Sequence, residues 1–93
     1  MKARLICYSL GKADATTRNL FKRDLNGYKD ISNNGQYAYK RKGLLQKIEH
    51  KMPIRSVIII GEKDKNQVLR LLRKYKARYN TFSINIQPKE LYS

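Results

Sequence analysis

The stretch Ile54-Arg55-Ser56-Val57-Ile58-Ile59-Ile60 decides how the rest of the chain folds. Its last four residues are all β-branched and apolar, so they cannot alternate between a wet and a dry face. A run of this kind predicts a central strand over 54–60, covered on both sides. Pro53 bounds it on one side and Gly61 on the other. On the C-terminal side, Asp64 with Gln67 three residues on resembles a capping box, although Ser or Thr is the usual first member. Val68, Leu71, Leu72 and Tyr75 then follow at i, i+3, i+4 and i+7, which predicts a helix. Beyond it, Phe82, Ile84 and Ile86 alternate with Ser83, Asn85 and Gln87. That pattern predicts a strand over 81–87, ended by Pro88.

On the N-terminal side, Leu44, Leu45 and Ile48 have helical spacing, so 44–50 is expected to be a short helix or a connection. Residues 36–42 read as a strand, with Tyr37, Tyr39 and Arg41 on one face and Ala38, Lys40 and Lys42 on the other. Residues 30–35 are turn-rich, because Asx side chains and glycine tolerate turn conformations. A helix is predicted from Asp14 or Thr16 to Asn26, stopped by Asn26-Gly27. Residues 3–9 give the first strand.

The resulting order is β-α-β-β-α-β in one domain over 1–88, with a short tail over 89–93. It predicts an α+β fold, a ferredoxin-like βαββαβ plait with a four-stranded antiparallel sheet and two helices on one face. The expected strand order is 4-1-3-2. The isoleucine-rich third strand suits the centre, and the lysine-bearing second strand suits an edge, where charge discourages aggregation. The polar face of the last strand predicts that the sheet's second face is wet or covered by a partner.

Charge is the strongest functional signal. The 93 residues hold 21 Lys and Arg against 7 Asp and Glu, a net charge of +14. Such an excess destabilises the compact state by self-repulsion. A polyphosphate backbone is the commonest reason to carry it, so nucleic acid, RNA or DNA, is the expected partner. A thermophile's charged surface would be richer in Glu. At 41% hydrophobic residues the chain has the material for a core.

Cys7 is the only cysteine and His50 the only histidine, so neither an internal disulfide nor a His/Cys zinc cluster is expected. Phosphate-loop, dinucleotide and hydrolase motifs are absent, and no catalytic residue, metal or cofactor is assigned. The longest apolar run, Val57–Ile60, falls far short of a membrane span, and the first residues lack the apolar stretch of a signal peptide. A cytoplasmic location is expected.

Three cationic groups are candidate nucleic-acid contacts. Tyr37, Tyr39, Lys40, Arg41 and Lys42 combine aromatic faces for base stacking with cations for phosphates. Arg70, Arg73, Lys74 and Arg78 lie on or after the later helix with few acids to pair them. Lys47, Lys51 and Arg55 surround His50 and Pro53.

Tyr37-Ala38-Tyr39 resembles the centre of the RNA-recognition-motif signature. In that family the signature lies on the third strand, and an aromatic stands where this chain has Ile6. In length and topology the chain also resembles the CRISPR adaptation nucleases, which keep a metal-holding Asp at the end of the first strand. This chain has Ser9 there, and its nearest acid is Asp14. The alternative functions are therefore a metal-dependent nuclease using Asp14, Asp30 or Glu62, and an oligomeric scaffold. A homodimer is expected from a small sheet with one poorly covered face.

Overall fold

Two helices and a four-stranded antiparallel sheet carry the fold, and a separate two-stranded hairpin stands beside them. The computed structural model describes residues 1–32, 35 and 37–91, without the side chains of Ser32 and Tyr37. In chain order the elements are β1 (Lys2–Ser9), α1 (Ala15–Asn26), β2 (Tyr28–Ser32), β3 (Tyr37–Arg41), β4 (His50–Ile54), β5 (Val57–Gly61), α2 (Lys65–Lys74) and β6 (Arg78–Asn85). The sheet runs β4-β5-β1-β6, and β2 pairs only with β3.

One cluster forms the core. Ile6 of β1 and Ile58 and Ile60 of β5 meet Phe21 and Leu25 of α1, Val68, Leu69 and Leu72 of α2, and Leu45. Both helices thus pack on the same sheet face. Phe21 is set between Tyr8 and Tyr75, with ring centroids 5.5 and 5.6 Å away, in tilted and edge-on arrangements suited to aromatic quadrupoles.

The helices begin differently. Asp14 caps α1, its Oδ1 accepting from the Thr17 amide at 2.7 Å, and that bond holds its carboxyl below the usual range. Asp64 precedes α2 but makes no side-chain cap bond, so the expected capping box is not formed. A 3-10 turn over Glu62–Asp64 leads into the helix, and Asp64 is itself already in the helical region (φ −98°, ψ 0°) instead of the extended conformation a cap needs. At the other end of α2, the Ala77 amide donates to Leu72 O and the Lys76 amide to Arg73 O. This closure places Lys76 at φ 55°, where glycine is usual.

Four expectations need correction. The strand expected over 36–42 is not in the main sheet; Tyr37–Arg41 pairs with Tyr28–Ser32, which ends inside the segment expected to be a turn. Asn33 and Asn34 of that segment, and Gln36 of the expected strand, lie outside the described residues. The stretch 54–60 is two strands, because Arg55-Ser56 makes a tight turn with Ser56 at φ 68°. The edge expected for the lysine-bearing strand is occupied by β4, which contains Pro53 at a break in register between Lys51 and Ile54, a position an edge tolerates. Lastly, the sheet face turned away from the helices is apolar, and it is open only in part, since Ala3 is fully buried there. Phe82 and Ile84 pair with Leu5 and Ala3, which alternate with the core residue Ile6 and so face away from the helices. Ile59 joins Leu5 on that face, where Phe82 is 54% exposed.

A backbone contact fixes the hairpin's foot. Gly27 ends α1 at φ 80°, its amide donating to Arg23 O at 2.8 Å. Gly43, just beyond β3, lies against it so closely that a Cβ there would sit 2.6 Å from the carbonyl carbons of Leu25 and Asn26. Past the foot, every described hairpin side chain except Asp30 is exposed. The radius of gyration, 14.7 Å, exceeds the roughly 12 Å of a compact chain of this length, as a projecting arm requires. Among the described residues, no helix is long and apolar enough to cross a membrane.

Candidate nucleic-acid interface

The Gly27–Gly43 contact brings together three segments that are distant in sequence. The last turn of α1 supplies Arg23 and Asp24. The foot of the hairpin and the 3-10 turn Leu44–Lys47 supply Tyr28, Lys42 and Lys47, and α2 supplies Arg70 and Lys74 as the facing wall. Between them runs a surface groove of ≈ 450 Å³ whose floor includes Leu44 and Leu71. Five cations line it against one carboxylate.

That carboxylate is already engaged. Asp24 Oδ2 accepts from the Tyr75 hydroxyl and from Lys74 Nζ at 3.2 Å. The Tyr75 bond, with help from Lys74, holds the Asp24 carboxyl below its usual range, and the same bond is the main reason Tyr75 is pushed up to about 12. The Arg23 guanidinium lies 4.9 Å above the Tyr28 ring, a cation–π contact that holds the charge at the groove's rim. Among the described residues, Arg23, Lys42, Lys47 and Arg70 have no acidic partner. Four unpaired cations around one groove create a positive potential that an anion would relieve.

The structure divides the sequence candidates. Lys42, Lys47, Arg70 and Lys74 meet in the groove. Tyr39, Lys40 and Arg41 lie on the hairpin, where Arg41 bonds Asp30 at 3.3 Å and Tyr39 is 53% exposed opposite the same Asp30. Tyr37 is on β3, but its side chain is outside the description.

Four candidates lie elsewhere. Arg73 Nε donates to the Tyr79 hydroxyl at 3.1 Å. Arg78 borders Cys7 and Asn80. Lys51 is opposite Ile59, on the uncovered sheet face. Arg55 lines a second concavity of ≈ 420 Å³ with Tyr8, Arg18 and Lys22. There burial raises the Tyr8 hydroxyl, against a smaller lowering from Arg55. Sequence reasoning did not select Arg23, since nothing local separates it from Lys22; only the tertiary contact of the two glycines turns it into the groove.

The acids are dispersed. Asp14 caps a helix, Asp30 holds Arg41, and Glu62 accepts from Arg4 at 2.9 Å with Lys65 at 3.7 Å. The Arg4 bond is the main reason the Glu62 carboxyl is lowered. Among the described residues, no three His, Cys, Asp or Glu side chains gather closely enough to hold a metal. His50 Nδ1 lies 3.1 Å from the Ile48 carbonyl oxygen.

No family model matches the chain, and no curated protein or solved structure matches it either.

Proposed function

We propose that this chain is a non-enzymatic nucleic-acid-binding module that holds phosphates in the groove between α1, α2 and the foot of the hairpin. The carrying observation is the convergence of Arg23, Lys42, Lys47 and Arg70 from three segments, with the one nearby carboxylate already neutralised. Phosphate contacts of this kind position a nucleic acid without reading its sequence. We read the fold as a plait with an insertion, a reading supported by the sheet's own strands, which numbered in chain order lie 2-3-1-4, with β2–β3 interrupting the path from α1 to the edge strand β4. The test is fluorescence anisotropy with labelled RNA and DNA, with and without Mg²⁺. Lys47→Gln with Arg70→Gln should weaken binding to every nucleic acid tested, and the probes should remain uncut. Parent-like affinity in that variant would remove the groove from the account, and Mg²⁺-dependent cleavage would favour the nuclease alternative.

A second reading, self-association, is favoured by the uncovered sheet face. Phe82 and Ile54 are 54% and 66% exposed there, beside Leu5, Val57 and Ile59. Among the described residues of the four strands, the cations on this face, Lys51 and Arg78, stand at its margins. It is therefore a charge-poor surface on which two strongly basic copies can meet. Light scattering should show a dimer that Phe82→Lys dissociates; a parent that stays at 11 kDa at tens of micromolar would refute this.

A further inference from the structure

Resting on the nucleic-acid reading above, we propose that the hairpin β2–β3 is an arm that enters the major groove of duplex DNA. The observation is an arrangement that the fold alone does not explain. Lys29 and Lys40 face each other directly across the ribbon, and the next pair on that face is Ile31 with Ala38. Opposed like charges destabilise a two-stranded ribbon, which is marginal by itself. Among the described residues neither lysine has an ion-pair or hydrogen-bond partner. Ile31 is 61% exposed and lies outside the core cluster.

The shape of the arm selects the ligand. Two strands about 4.8 Å apart, with side chains, fit a major groove about 12 Å wide, which admits a two-stranded ribbon. Inside it, Ile31 and Ala38 would meet thymine methyl groups, and the two lysines would reach base acceptors or the flanking phosphates. The ribbon's other face is less suited to an anion. There Asp30 lies opposite Tyr39, and its carboxylate pairs with Arg41, the one strand cation among the described residues of that face. An RNA duplex does not offer this fit, because its major groove is deep and narrow.

The experiment measures affinity of the full chain for a labelled DNA duplex, the RNA duplex of the same sequence, and one DNA strand, at one salt concentration. The DNA duplex should bind about tenfold more tightly than the other two. Lys29→Gln with Lys40→Gln should abolish that preference. The variant removes a repulsive pair, so its fold should be at least as stable as the parent's. Ile31→Asp, at an exposed position, should do the same by placing a carboxylate in the groove. Lys47→Gln with Arg70→Gln should instead weaken all three ligands alike. Equal affinity for the three ligands, or a Lys29/Lys40 variant that keeps the parent's preference, would overturn the arm while leaving the phosphate groove standing. Failure to bind any of the three would overturn both.

Discussion

Replacing Gly43 with alanine tests the contact that builds the groove. Gly43 has φ −88° and ψ 176°, extended backbone open to any residue, so the substitution carries no conformational penalty. Its whole cost is steric. The new Cβ would lie 2.6 Å from the carbonyl carbons of Leu25 and Asn26, and nearer still to the Gly27 amide nitrogen. Comfortable carbon–carbon separations are about 3.5–4.0 Å, so the hairpin foot must withdraw by about 1 Å. The three nearest atoms are all backbone, and no rotamer change relieves those clashes. Overpacking typically costs about 1–3 kcal/mol, and this site belongs at the upper end. For a domain of this size that lowers Tm by roughly 10–20 °C. The assay is calorimetry beside Gly11→Ala, whose Cβ would meet nothing within 4 Å and whose cost is only the left-handed backbone, about 1 kcal/mol. If Gly43→Ala costs no more than Gly11→Ala, the two glycines do not anchor the hairpin.

Asp24→Asn should lower stability by about 1 kcal/mol, a charged hydrogen bond discounted for its exposure, and should tighten binding to nucleic acid; urea melts and anisotropy should move in opposite directions. Because the Asp24 carboxyl is held below its usual range when folded, its stabilising effect is present above the ordinary carboxylate pKa and lost as pH falls through the lowered value. Urea melts of parent and Asp24→Asn should therefore differ at neutral pH and converge in acid. Lys76→Gly should raise stability by about 0.5–1 kcal/mol, since Lys76 occupies a left-handed position at φ 55°; a lower thermal midpoint would contradict the assigned closure of α2.

The parts legible in the sequence were those with local signatures. Asp14 and Gly27 bracket α1, and the spacing from Val68 to Tyr75 marks α2. The strand from Ile54 was misjudged because Ser56 turns the chain at positive φ without being Gly, Asn or Asp, and because Pro53 reads as a breaker when it sits in an edge strand. The alternation in β6 was visible, but which side faced the helices depended on its register with Ile6, and no local pattern encodes that register. Four of the groove's five cations, Lys42, Lys47, Arg70 and Lys74, are legible as charge without a shared location. Their convergence depends on Gly27 meeting Gly43, two residues that signal only turns when read locally.

Phosphate contacts in the groove make binding depend on salt, because each one releases a condensed counterion. With the four unpaired groove cations and the two hairpin lysines contributing, the parent's affinity for a DNA duplex, titrated between about 50 and 200 mM salt, should fall with a log–log slope of about −5. In Lys47→Gln with Arg70→Gln the slope should be shallower by about two. A parent affinity that does not change with salt, or a double variant with the parent's slope, would contradict the account.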